Sequence, residues 1–126
     1  MACIVHGYGG NLLILLNKPF RVLSQFRDRD DRATLADFVD VPNVYPAGRL
    51  DFDSEGLLLL TDDGRLQAHI SSPASKTRKT YWAQVEGIPS PEQLRQLERG
   101  VKLKDGPAGA LSARLIEEPP GLWERT

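Results

Sequence analysis

Apolar residues gather in two short runs, Leu12-Leu13-Ile14-Leu15-Leu16 and Leu57-Leu58-Leu59-Leu60, each bounded by polar or turn-forming residues. Runs of this length predict buried strands, and the four-leucine run, too short for a typical helix and too apolar for a half-exposed strand, predicts one buried on both faces. The first is halted by Asn17-Lys18-Pro19, and Lys18 at the strand end is expected to be a solvated turn residue. Residues 22–26 predict a second, short strand. Further on, Tyr81, Ala83 and Val85 alternate with Trp82, Gln84 and Glu86, the period of another strand, which would put Lys79 and Tyr81 on one face. Residues 101–103 and 110–116 predict two more, split by the Asp105-Gly106-Pro107 turn.

Helical spacing is confined to short stretches with clear caps. Thr34 can cap a helix running through Phe38, with Leu35 and Phe38 on one side. Leu66 and Ile70 lie one turn apart behind a cap at Asp62 or Asp63, and Pro73 stops the pattern; Arg65 and His69 would point outward. Ser90-Pro91-Glu92-Gln93 is a capping box with proline at the first helical position, followed by Leu94 and Leu97 and ended by Gly100. Pro42 and Pro46 make 41–47 an extended approach to Gly48. Residues 1–11, with Gly7-Tyr8-Gly9-Gly10, are expected to be a flexible leader, and no repeat or linker divides 12–126. Strands interleaved with short helices predict an α+β fold: a mixed, mostly antiparallel sheet with short flanking helices.

Composition narrows the function classes. The chain has 126 residues, enough for one domain, and 40% hydrophobic with 26% charged residues is ordinary for a globular protein. A net charge of −1 gives no overall pull toward nucleic acid. The local distribution differs: Arg65 to Tyr81 contains Arg65, Lys76, Arg78 and Lys79 without one Asp or Glu, and leads into Tyr81 and Trp82. Cations beside exposed rings suit RNA phosphates and unstacked bases, and a solvated loop entering a strand with core aromatics accounts for the same residues. The lone Cys3 excludes an internal disulfide or cysteine zinc site, which fits a reducing compartment. No apolar run reaches membrane-spanning length and no signal-like segment opens the chain, so a cytoplasmic location is expected and no membrane association. His6 and His69 have no partners at metal-ligand spacing, so no metal is expected.

The chemistry concentrates in residues 48–56, a loop carrying Asp51, Asp53 and Glu55 beside Arg49 and leading into the second leucine run. A charged loop mounted on a buried strand suits an active site, and the same residue types also build ordinary strand-connecting turns. The full string, Gly48-Arg49-Leu50-Asp51, two variable residues, then Ser54-Glu55-Gly56-Leu57-Leu58-Leu59-Leu60-Thr61 and Asp62-Asp63-Gly64, resembles the signature of the pseudouridine synthases that modify ribosomal RNA, in their large-subunit branch. Leu16-Asn17-Lys18-Pro19-Phe20, Val22-Leu23-Ser24-Gln25-Phe26, Lys79-Thr80-Tyr81 and Gln84-Val85-Glu86-Gly87 extend the resemblance over most of residues 12–123.

That resemblance implies isomerisation of a uridine to pseudouridine in ribosomal RNA, the 23S species, without a cofactor. It casts Asp51 as the catalytic nucleophile or base, Arg49 as a residue that displaces or holds the flipped nucleotide, Tyr81 as a stacking partner for uracil, and Lys79 as a phosphate contact. The family continues past the point where this chain stops, with further strands and an arginine-bearing motif that pairs with the aspartate, and many members carry a separate N-terminal RNA-binding domain. Residues 12–126 are therefore expected to be a partial catalytic domain, weak or inactive alone. A non-catalytic RNA-binding or ribosome-associated fragment is the main alternative. A hydrolase pairing Asp51 with Asp53 or Glu55 is a third.

Overall fold

The two leucine-rich runs pair with each other. A computed structural model describes residues 2–6, 11–75, 78–104, 106–110 and 112–123. Strands β1 (Ala2–His6), β2 (Leu12–Lys18), β3 (Tyr45–Ala47) and β4 (Gly56–Thr61) form one sheet in the order β1-β2-β4-β3, every ladder antiparallel. The α+β expectation is borne out. Residues 2–6 depart from the expected leader: Ala-Cys-Ile-Val-His is a β-favouring stretch, and it pairs along β2 as an edge strand.

Register sets Ile14 opposite Leu60 and Leu16 opposite Leu58, and these four side chains are at most 3% exposed. With Val22, Leu35, Val39 and Val44 they form the core, flanked by Phe26, Ala33, Phe38, Val41 and Leu50. Burial on both faces of the four-leucine strand does not hold, because Leu57 is 63% exposed and Leu59 only partly covered, and on β2 Leu13 and Leu15 are likewise only partly covered. The period of two operates inside the continuous apolar run, and the connection through 22–44 covers one face. Residues 22–26 are likewise not a strand. They make one parallel bridge, Leu23 with Thr34, and their backbone serves loop contacts: the Leu23 N–H donates to Ala33 (2.9 Å) and the Gln25 carbonyl accepts from Leu35 (2.9 Å).

The caps work as their chemistry demands. Thr34 and Asp37 close a reciprocal capping box around a 3-10 turn, Leu35–Asp37, whose Leu35 is fully buried. Asp63 accepts from the N–H groups of Arg65 and Leu66 at the start of helix α1 (Gly64–Ser71), and Gln67 on that helix donates to the Pro46 carbonyl at 3.1 Å, tying it to β3.

Residues 80–122 form a second compact unit. Helix α2 (Pro91–Arg99) starts at the Ser90–Gln93 capping box and stops at Gly100, whose φ of 103° suits glycine. Strands β5 (Val101–Leu103) and β6 (Gly106–Ala108) make a small hairpin. The expected strand over 110–116 is not formed at its described residues; the Ala110 N–H donates to Leu97 (2.9 Å) and the Ala113 N–H to the Glu98 carboxylate (3.1 Å), so the backbone donors go to the end of α2. The expected strand through Lys79, Tyr81 and Val85 is also absent. Alternation marks a surface that can pleat, but a strand needs a ladder partner, and this segment has none among the described residues. Tyr81, Trp82 and Val85 are exposed. Among the described residues no helix is long and apolar enough to cross a membrane.

Candidate active site

Residues 48–55 join β3 to β4, bracketed by two glycines in conformations other residues rarely adopt, Gly48 at φ 93° and Gly56 at φ 130°. Within the loop the Ser54 N–H donates to the Asp51 carbonyl at 3.1 Å, closing a turn with Phe52 and Asp53 at its corner. Asp51, Asp53 and Arg49 are exposed. Among the described residues the Asp51 carboxylate accepts no hydrogen bond.

The backbone beneath that carboxylate is held from the segment following β2. Ser24, only 7% exposed, donates through Oγ to the Leu50 carbonyl (2.7 Å) and accepts from the Leu50 N–H (3.1 Å). The Arg21 N–H donates to the Phe52 carbonyl at 2.7 Å, with Arg21 itself in the left-handed region at φ 62°. Asp51 is thus flanked on each side by a residue whose main chain is tied down. The Arg32 guanidinium lies 5.6 Å from the Phe52 ring centroid and is fixed by a two-point contact to Asp28, Nε to Oδ2 at 2.9 Å and Nη2 to Oδ1 at 3.1 Å. Those Arg32 hydrogen bonds hold the Asp28 carboxyl at about 2, below its ordinary 3.8.

Lys18 corrects the expectation of a solvated turn residue. It is fully buried, and its Nζ donates to the carbonyls of Ser54 (2.6 Å), Pro19 (2.8 Å) and Val22 (2.8 Å). Burial pushes the ammonium below its ordinary 10.5, opposed by the carboxylates of Glu55, Asp53 and Asp51. Sequence reasoning missed Lys18, Ser24 and Arg21. One signal was present for Lys18, since the period of two that buries Ile14 and Leu16 puts position 18 next in the same series.

The second half of the signature does architectural work. The fully buried Thr61 donates through Oγ1 to the Leu12 carbonyl (2.7 Å) and accepts from the Asp63 N–H (3.1 Å); Asp62 accepts from the Leu12 N–H (2.8 Å), and Asp63 caps α1. Glu55 accepts from the Trp123 N–H at 3.0 Å, a structural contact. Of the other expected site residues, Lys79 is exposed at the end of the first unit and Tyr81 is exposed in the second. Lys76, in the basic stretch, lies outside the described residues. Among the described residues no cluster of three or more His, Cys, Asp or Glu is placed to hold a metal ion.

An accessible carboxylate on a turn pinned from below can act on a substrate that comes to it, and the surrounding sequence matches one family. The profile of RNA pseudouridylate synthase covers residues 12–111, so the chain belongs to that family. Its relatives include ribosomal large subunit pseudouridine synthase E of Vibrio vulnificus, 56% identical over 113 residues (90% of this chain, 48% of that protein). The protein of the same name from Xanthomonas axonopodis pv. citri is 53% identical over 116 residues (90% and 61%). Ribosomal large subunit pseudouridine synthase B of Bacillus subtilis is 44% identical over 104 residues (81% and 43%). The chain spans about half the length of the curated relatives it matches.

Proposed function

We propose that this protein isomerises a uridine of large-subunit ribosomal RNA to pseudouridine, with Asp51 as the catalytic carboxylate and residues 12–126 as part of the catalytic domain. The observation that carries this is the Asp51 carboxylate itself: exposed, free of hydrogen bonds among the described residues, and seated between Leu50 and Phe52, whose backbones are both held by residues 21–24. Family membership and the names of the relatives supply the reaction class.

The reaction is an internal rearrangement. The N1–C1′ bond of uridine breaks, the uracil turns, a C5–C1′ bond forms, and the proton lost from C5 is balanced by one gained at N1. No electrons are exchanged with a cofactor. A carboxylate serves by stabilising or capturing electron-poor character at C1′, or by adding to the base, and either role needs an ionised group held at a fixed height. The uridine must first leave its stack, and the family resemblance supplies the further roles in this reading: Arg49 holds the extruded nucleotide, Tyr81 stacks on the uracil and Lys79 meets a phosphate, three side chains that are each exposed. A cytoplasmic location follows from that substrate.

The test is tritium release from 5-tritiated uridine in ribosomal RNA, run on the 126-residue chain and on a version extended to the length of its relatives. Asp51→Asn should lower turnover by on the order of 10²–10³ or more, while Asp53→Asn keeps most of it. Equal loss from both changes would sink the assignment. RNA binding without turnover from either length would favour the non-catalytic alternative.

A further inference from the structure

Position 18 is where the sheet breaks its own rule. Along β2 the core-facing series Ile14, Leu16 is continued by a cation that is as buried as they are. Lysine is almost never fully buried unless partnered, and an ammonium has three protons to place. Here all three have carbonyl acceptors, from Pro19, Val22 and Ser54, at 2.6–2.8 Å. Pro19 and Val22 belong to the segment that also supplies Arg21 and Ser24, and Ser54 is the last residue of the turn that begins at Asp51. One charged group therefore joins the segment beneath the loop to the far end of the loop. The carboxylates of Glu55, Asp53 and Asp51 all favour its protonated form, so the charge lies under the most acidic part of the site.

We infer that Lys18 is a positioning residue for Asp51: its buried ammonium anchors the Ser54 end of the turn, as Ser24 and Arg21 anchor the Leu50 and Phe52 backbones, and so fixes where the carboxylate meets its substrate. The inference rests on Asp51 being the catalytic carboxylate. An apolar residue of similar length would fill the same volume while leaving the carbonyls of Pro19, Val22 and Ser54 without this donor, a loss that falls on the turn itself. What it cannot do is hold three carbonyls from two segments at one point. Misplacement of a reacting group by about 1 Å can cost on the order of 10²-fold in rate, which is the scale at stake when the turn is loosened.

The experiment compares wild type, Lys18→Met and the core variant Val39→Ala, the last as a control for general destabilisation. Native-state amide exchange reads the Ser54 N–H, which is bonded to Asp51, and the Arg21 N–H, which is bonded to Phe52, against the Leu58 and Leu60 amides of β4. The expected result is exchange at Ser54 and Arg21 at least tenfold faster in Lys18→Met with Leu58 and Leu60 little changed, and no such selective loss in Val39→Ala. On ribosomal RNA, kcat should fall on the order of 10- to 100-fold with KM within about twofold. If Lys18→Met does not fold, Lys18→Gln, which keeps two donors and no charge, is measured in the same way. Unchanged protection at Ser54 and Arg21 overturns the inference whatever the turnover, and so does loosened protection with kcat retained. If the wild-type protein at either length has no turnover, it is the assignment of the reaction that fails, and the exchange comparison alone then decides whether Lys18 holds the turn.

Discussion

Replacing Ser24 by alanine removes one oxygen and two hydrogen bonds from the loop that carries Asp51. The hydroxyl donates to the Leu50 carbonyl at 2.7 Å and accepts from the Leu50 N–H at 3.1 Å, so its loss strips both main-chain groups of the residue next to Asp51. A buried polar group left without a partner costs about 1–3 kcal/mol, which sets an upper bound near 6 kcal/mol for the pair. Two facts reduce that figure: Leu50 is only half-buried, and the vacated space can admit water to the freed groups. The expected loss is about 2 kcal/mol. With a urea slope of about 1–3 kcal/mol per molar, the denaturation midpoint should fall by roughly 1 M at unchanged slope. The Leu50 amide should also exchange more than tenfold faster, since about 1.4 kcal/mol corresponds to a factor of ten. A midpoint shift equivalent to under about 0.5 kcal/mol, with Leu50 exchange unaltered, would show that the hydroxyl does not hold the loop.

Two further outcomes follow from the core and from the Asp28–Arg32 contact. Leu60→Ala, at a fully buried position opposite Ile14, should cost about 2–5 kcal/mol by calorimetry, and a cost below about 1 kcal/mol would mean the neighbouring residues close the cavity. The Asp28 carboxyl is held at about 2 in the folded chain against 3.8 ordinarily, and a lowered acid stabilises fully above its unfolded value and loses that contribution as pH falls through the folded one. The gap in denaturant midpoint between wild type and Asp28→Asn should thus be constant from neutral pH to about 4 and shrink toward pH 2. A gap undiminished at pH 2 would refute that account.

Elements with explicit local chemistry were legible in the sequence. Asp63 before α1, the Ser90–Gln93 box before α2 and the Thr34–Asp37 box each satisfy helix-end donors from a few residues away, so they need no knowledge of the fold. Segments 22–26 and 81–86 are not strands, because apolar content and alternation report what a stretch can do, whereas a strand exists only if a neighbour takes its hydrogen bonds. In the site, the Asp51 loop was visible as a signature. Its supports were not, because Ser24 meets Leu50 across 26 positions and Lys18 meets Ser54 across 36, and no local pattern encodes such meetings. Lys18 follows the phase of β2 in spite of its charge, because a lysine can stay buried when carbonyls accept a hydrogen bond from each of its ammonium protons.

The division of labour along the signature has a consequence for anyone sorting defective alleles. Thr61, Asp62 and Asp63 stitch the far end of β4 to Leu12 and to α1, while Asp51 stands at the near end beside the solvent. On the proposed role of Asp51 as the catalytic carboxylate, a screen scored only by missing product would flag lesions at either end alike, although one removes the tool and the other weakens its handle. Abundance separates them: cells carrying a change at Thr61 or Asp62 should hold less of the protein, and cells carrying Asp51→Asn should hold the normal amount of an idle one.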